Sequence, residues 1–275
     1  MRQYFPVLTI AGSDSSGGAG IQADIKTMSA LGCYAMSAIT GITAQNTTGV
    51  RSIQPIDPSV VADQIDMIFS DIPPMAVKTG MLTDAAVADA VAARLEHYRP
   101  ANLVVDPVMV STSGSKLLAD EAVEIITTRI FPLAAIITPN RMEARALTGS
   151  DDHSVQAERL FAMGCRAILL KGGDSDDREF KTDILYTGNP GEWLELRADA
   201  VDTRNSHGTG CTLSSAIASY LALGNDLVTA VRLGKLYVTR ALEAGAFITT
   251  GHGHGPVNHF FAPRRLKNFN PNKIQ

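Results

Sequence analysis

Asn205-Ser206-His207-Gly208-Thr209-Gly210-Cys211-Thr212-Leu213-Ser214 is a glycine-bearing turn that opens into an apolar helix running to about Leu223. Such a turn presents bare backbone N–H groups at the positive end of a helix, which is an anion site. At its end stands a thiol, Cys211, placed where it could reach an atom being phosphorylated. The alternative is a tight loop-to-helix turn with a buried cysteine, and an isolated G-x-G does not separate the two. The chain around it does.

Short β-branched runs alternate with longer helical patterns on the N-terminal side of this turn. Residues 7–10, 76–79, 103–106, 135–138 and 167–171 read as buried parallel strands. Between them Val61, Ile65, Ile68 and Phe69 share one helical face, and Val87, Val91 and Leu95 another. Strand–helix alternation at this spacing implies right-handed crossovers and a sheet covered on both sides. Residues 181–186 and 193–197, around Thr187-Gly188-Asn189-Pro190-Gly191, read as a hairpin. No linker, repeat or low-complexity tract divides residues 1–275, so a single domain is expected.

In open α/β sheets, ligands bind beyond the carboxyl ends of the strands. Polar and glycine-rich residues recur there: Ala11-Gly12-Ser13-Asp14, Lys78-Thr79-Gly80-Met81, Asp106-Pro107-Val108-Met109, Thr138-Pro139-Asn140 and Lys171-Gly172-Gly173-Asp174. Each is ordinary loop chemistry; together on one edge they imply one crevice. Gly17-Gly18-Ala19-Gly20 lacks the G-x-G-x-x-G spacing and no G-x-x-x-x-G-K-[ST] occurs, which counts against a nicotinamide dehydrogenase and a P-loop enzyme.

Composition narrows the class further. The chain is 45% apolar with a net charge of −4 and no basic stripe, which argues against nucleic acid as the main partner. The basic run Arg264-Arg265-Leu266-Lys267 reads as a solvated tail. Residues 4–10 are too short for a signal h-region, and no apolar run reaches membrane-spanning length. Cys33, Cys165 and Cys211 are odd in number and form no C-x-x-C pair, so neither a disulfide framework nor a zinc site is expected. The expectation is a cytoplasmic protein without membrane contact.

These segments resemble the ribokinase-like superfamily, and within it the hydroxymethylpyrimidine/phosphomethylpyrimidine kinases of thiamine biosynthesis. The resemblance is carried by residues 10–24 (IAGSDSSGGAGIQAD), Ala44-Gln45-Asn46-Thr47, Lys78-Thr79-Gly80-Met81-Leu82, Asp106-Pro107-Val108-Met109, Thr138-Pro139-Asn140 with Glu143, Leu170-Lys171-Gly172-Gly173, and the turn Gly208–Cys211, all in family order. It implies a three-layer α/β/α sandwich with a mainly parallel sheet. It also implies ATP- and Mg²⁺-dependent phosphorylation of 4-amino-5-hydroxymethyl-2-methylpyrimidine and then of its monophosphate. A homodimer is the implied assembly.

The resemblance assigns roles as follows. The backbone of Gly208, Thr209, Gly210 and Cys211 holds the transferring phosphoryl group, and Cys211, whose thiol a helix N-terminus can acidify, serves as base in the place of the sugar kinases' aspartate. Gln45 reads the aminopyrimidine, since one amide satisfies a ring nitrogen and an exocyclic amine together. Its alternative is a loop glutamine bonding backbone. Asp24, Met81, Ala19 and Val108 share that pocket, with Asp24 otherwise a surface residue of the first helix and Met81 otherwise core packing. Glu143 and Asp106 organise magnesium with Asn140, usually through water. Asn140 and Glu143 also fit a capping box, and Asp106 a routine turn. Lys171 and Thr203 lie along the nucleotide. The glycine-rich 251–256 segment, with His252 and His254, shapes the nucleotide end instead of ligating a metal.

One departure is Val110-Ser111-Thr112-Ser113, where the family carries lysine or, in dual-specificity pyridoxal kinase members, cysteine. Without that thiol an aldehyde substrate is disfavoured. Pyridoxal or pyridoxine kinase is therefore the first alternative, and a silent pyrimidine-binding regulator the second.

Overall fold

The computed structural model describes residues 2–109, 120–188 and 191–271; the departure at 110–113 lies outside the described residues. In chain order the strands are β1 (Gln3–Tyr4), β2 (Pro6–Asp14), β3 (Tyr34–Asn46), β4 (Gly49–Pro55), β5 (Ala76–Thr79), β6 (Leu103–Val105), β7 (Ile136–Ile137), β8 (Ala167–Leu170), β9 (Phe180–Thr187), β10 (Trp193–Asp199) and β11 (Asn268–Phe269). The α-helices are α1 (Gly20–Ala30), α2 (Pro58–Asp71), α3 (Ala85–Tyr98), α4 (Asp120–Ile125), α5 (Arg141–Thr148), α6 (His153–Ala162), α7 (Thr209–Ala222) and α8 (Leu227–Gly245).

The central sheet runs β10-β9-β8-β7-β6-β5-β2-β3-β4. Its middle, from β8 to β3, is parallel, while β4, β9 and β10 pair antiparallel at the two edges. Strand side chains alternate between two cores, as the pleat requires. Leu8, Ile10, Val77, Val105, Ile137 and Ile168 pack with α2, α3 and α6. Val7, Ala76, Val104, Ile136 and Leu169 pack with α1, α7 and α8. The cover on both sides expected from the alternation, and the three-layer sandwich implied by the resemblance, are thus present, and the near-continuous apolar strands are those covered on both faces.

The helices start where local chemistry starts them. Asp57 accepts from the Ser59 N–H ahead of Pro58, Asp84 from Val87, and Asp226 from Thr229, each satisfying a donor that the first turn leaves orphaned. Both amphipathic faces read from the sequence are buried or half-buried against the sheet. The largest feature that periodicity missed is the β3–β4 hairpin; β3 mixes small and polar residues, and its burial alternates along most of its length. The basic C-terminal run is not a free tail. Its side chains are exposed or half-buried, but Arg264 and Lys267 donate backbone N–H groups to the Ala30 and Gly32 carbonyls, and β11 pairs with β1.

Candidate active site

The strand order reverses at β2, with β3 on one side and β5 on the other, so a crevice opens at its carboxyl end. The ends of β2, β5, β6, β7 and β8 all deliver their polar turns to that edge. The N-terminus of α7 faces the same edge. Gly208 precedes α7 at φ +82°, and a Cβ there would also run into the Gly18 carbonyl oxygen, so only glycine fits on both counts. No side chain caps α7. Thr209 donates its N–H to the Ser206 carbonyl, whereas the Gly210 and Cys211 N–H groups find no acceptor among the described residues. Two open donors at a helix N-terminus form an anion hole.

Cys211 is half-buried at this point. Burial pushes its thiol up to about 11; Lys78 pulls it down, while Asp24 and Asp106 push it further up. This corrects the expectation of an acidified thiolate: desolvation outweighs the neighbouring lysine, and at neutral pH the group is a thiol.

Beside the hole lies a buried charge cluster. Lys171 Nζ is 2.8 Å from Asp106 Oδ1 and 3.8 Å from Glu143 Oε2. A Cβ on Gly210 would stand 3.4 Å from Lys171 Nζ and 3.6 Å from Asp106 Oδ2, so the absence of a side chain at 210 joins hole and cluster. Asp106 also accepts from Thr138 Oγ1 at 3.1 Å. Burial raises its pKa, but Lys171 and then Lys78 overcome this and hold it below the usual range. Glu143 moves the other way, up to about 7, because burial outweighs Lys171 and Asp106 adds repulsion. Asn140 and Glu143 form a full capping box, at 2.8 and 2.9 Å. Glu143 Oε2 therefore caps α5, and Lys171, 3.8 Å away and already paired with Asp106, compensates its charge only in part. Among the described residues no three acidic, histidine or cysteine groups form a metal cage. Two carboxylates sharing one lysine do fit a hard cation that keeps most of its waters.

The substrate side is organised around Asp14. It accepts from Ser16 N and Oγ, Gly18 N, Ala19 N and His207 Nε2. These hydrogen bonds, His207 foremost, overcome burial and hold its carboxyl well below the carboxylate range. Gln45 comes from β3, its backbone fixed by Ser15 Oγ. Its amide lies 3.2 Å from Thr43 Oγ1 and 3.4 Å from His207 Nε2, so it bonds side chains, not loop backbone. Because His207 Nε2 gives its one hydrogen to Asp14 at 2.8 Å, the Gln45 amide at 3.4 Å is a neighbour of that nitrogen and not its main partner.

The remaining expected residues fall as follows. Met81 is buried, with its Cε against Gly12 at the β2 bulge and its carbonyl accepting from Thr40. Ala19 immediately precedes α1, and Val108 is half-buried after β6. Thr203 accepts from Asn205 N and donates to the Ala246 carbonyl, tying the α7 lead-in to the end of α8. The glycine-rich segment reaches back to the β3–β4 turn through Gly253 and His254, which bond Thr47, and His252 and His254 are exposed. Asp24 is neither on the surface nor open to a ligand. It is fully buried, bonded to Lys78, Thr9 and Ser215. Lys78, His207 and Asp14 were not singled out from the sequence. A lysine inside the buried strand Ala76–Thr79 was the legible signal for the first of these.

Sequence comparison now bears on this geometry. A family model described as phosphomethylpyrimidine kinase matches residues 14–258. The chain belongs to this family. It is 46% identical over 259 residues to the hydroxymethylpyrimidine/phosphomethylpyrimidine kinase of Rhizobium meliloti, covering 92% of this chain and 96% of that one. It is 44% identical to the Escherichia coli protein of the same name, covering 93% and 97%. The thiamine biosynthesis bifunctional protein of Geobacter sulfurreducens is 47% identical over 97% of this chain, which spans 55% of that longer protein. Among solved structures, phosphomethylpyrimidine kinase from Clostridium difficile superposes with TM-score 0.76 at 46% identity, covering 86% of this chain and 99% of that one. Pyridoxal kinase from Staphylococcus aureus, in complex with AMP-PCP and pyridoxal, superposes with TM-score 0.85 at 33% identity, covering 97% of each.

Proposed function

We propose that this kinase transfers the γ-phosphoryl group of ATP to the hydroxymethyl group of 4-amino-5-hydroxymethyl-2-methylpyrimidine, then phosphorylates the monophosphate to the diphosphate used for thiamine. The observation that carries this reading is the open pair of N–H donors at Gly210 and Cys211 beside the Lys171–Asp106–Glu143 cluster. Phosphoryl transfer needs positioning and charge neutralisation more than covalent help, and that is what this arrangement supplies. The hole takes the phosphoryl oxygens and Lys171 holds the phosphate chain in line. Asp106 and Glu143, with Asn140 fixing Glu143, would hold magnesium, which would supply neutralisation of phosphate charge there. Thr203 and the 251–256 segment flank the nucleotide. Gln45 orients the pyrimidine, and Ala19, Met81 and Val108 wall it in. Cys211 takes the hydroxyl proton through its minor thiolate form.

The pyridoxal reading stays as the competitor because pyridoxal kinase structures share the fold closely. Residues 1–275 act as one domain, a reading supported by the single nine-stranded sheet whose strands supply Gln45, Asp106 and Lys171 from their ends or the turns after them. A homodimer and a cytoplasmic location accord with the family likeness; no described helix is long and apolar enough to cross a membrane. Phosphorus NMR of the protein with ATP, magnesium and the pyrimidine alcohol tests the proposal. A phosphomonoester signal that converts to a diphosphate supports it, and its absence overturns it.

A further inference from the structure

Two buried lysine–aspartate pairs meet α7 at successive serines. Asp24 Oδ1 accepts from Ser215 Oγ at 2.6 Å, and Asp106 Oδ2 lies 3.3 Å from Ser214 Oγ. Ser215 and Ser214 lie four and three residues beyond Cys211, on the turn directly beneath the anion hole. Lys78 Nζ lies 2.8 and 3.0 Å from the two Asp24 oxygens, and Thr9 Oγ1 donates to Asp24 at 2.6 Å. Asp24, Lys78, Thr9 and Ser215 are all fully buried. One carboxylate thus ties β2, α1, β5 and α7 together. Gly80 leaves room for the ammonium: a Cβ there would stand 2.9 Å from Lys78 Nζ.

A buried ion pair is weak evidence for stability, because apolar groups of equal volume often serve as well. Its retention under a phosphate-binding turn calls for a different explanation. Charge fixed in a dry site acts strongly on charge developing nearby and needs no reorganisation during reaction. The charged groups facing the Cys211 thiol are Lys78 from β5, Asp24 from α1, Asp106 after β6 and Lys171 after β8. Burial pulls the Lys78 pKa down, but Asp24 and the other surrounding acidic groups more than restore it, so the ammonium stays charged.

We infer that Lys78, held by Asp24, is a positioning residue for phosphoryl transfer: the pair anchors the first turns of α7 through Ser215 and places a fixed positive charge under the hole. Asp24 is then the counterion of Lys78 and not a substrate contact. The inference rests on reading the α7 N-terminus as the phosphoryl hole.

Two variants separate the parts. Ser215→Ala removes the anchor alone. The pair Asp24→Asn with Lys78→Met removes the charges while the amide keeps bonds to Thr9 and Ser215. Each is assayed for kcat, KM and binding of ADP with and without aluminium fluoride, in magnesium, on protein whose thermal melt is cooperative. Ser215→Ala should lower kcat about 10-fold and the charge-free pair about 100-fold, the scale set by misplacing a reacting centre. KM and ADP affinity should hold, while affinity for the aluminium fluoride complex falls in step with kcat, which a merely structural role would not produce. If either folded variant keeps wild-type kcat and aluminium fluoride affinity, its part of the inference is overturned. Should the charge-free pair fail to fold, Ser215→Ala with the same two readouts still decides the anchoring. Gly210→Ala, whose methyl would stand 3.4 Å from Lys171 Nζ at the mouth of the hole, is the control for the hole. If it keeps wild-type kcat and aluminium fluoride affinity the hole reading fails and takes this inference with it; if it loses both while the Lys78 and Ser215 variants do not, only the inference fails.

Discussion

The pH dependence of turnover is where the structure departs most from the expectation of an acidified cysteine. Burial holds the Cys211 thiol at about 11. At that value about one molecule in ten thousand carries thiolate at pH 7, and about one in a hundred at pH 9. If the thiolate is the base, kcat should climb close to tenfold per pH unit over this range, about 100-fold in all, until another step limits turnover. Cys211→Ala keeps the backbone N–H and a good helix residue, so ATP and pyrimidine binding should survive while the slope disappears. At pH 9 its kcat should lie about 100-fold below wild type, the low end for a lost general base. Cys211→Asp substitutes the base type of sugar kinases and should move the acidic limb down by several pH units. The assay is kcat at saturating ATP and pyrimidine alcohol from pH 6 to 9.5. A flat wild-type profile, matched by Cys211→Ala, would refute the reasoning: the N–H groups would carry the transfer alone and the thiol would only pack.

Gln45→Leu should lower kcat/KM for the pyrimidine about 10- to 100-fold and leave ATP affinity unchanged, because a buried amine loses its partner; equal losses for both ligands would remove the assignment. Glu143→Gln should raise the magnesium concentration for half-maximal rate, whereas Asn140→Ala should do so and also cost about 1 kcal/mol in a denaturant melt through the lost cap. Gly208→Ala should destabilise the fold and abolish turnover, read by thermal melting and kcat, since it meets both the positive φ and the Gly18 carbonyl. His259 gives a stability signature: burial, then Lys26, lowers its pKa from 6.5 to about 4. A depressed histidine favours its neutral form in the native state, so the unfolded chain binds the extra proton and stability should fall as pH drops from about 6.5 to 4. Melting temperature against pH for His259→Gln should lack that slope.

The sequence made the frame of this site legible because its signals were local. Strands covered on both faces read as continuous apolar runs, and 76–79 matches β5 as found. The capping box at Asn140 and Glu143 needs only a three-residue spacing. The glycine turn of Gly208 was readable because its φ and its close approach to Gly18 admit no side chain. Long-range pairing was not readable. The β3–β4 hairpin is stabilised by neighbours far along the chain, so β3 carries little periodic signal of its own. Likewise, Asp24 lies 54 residues from Lys78 and 191 from Ser215, and no spacing rule joins them. The thiol pKa was misjudged for a related reason. A helix N-terminus is visible in sequence, but the packing that desolvates Cys211 is not.

The central claim is that this edge of the sheet phosphorylates a pyrimidine alcohol and then its monophosphate. The most direct measurement is kcat/KM for magnesium-dependent ATP consumption with the pyrimidine alcohol, its monophosphate and pyridoxal, in parallel on one preparation. The account predicts turnover with both pyrimidines and a lower kcat/KM for pyridoxal. A preference for pyridoxal, or no ATP consumption with either pyrimidine, would contradict it.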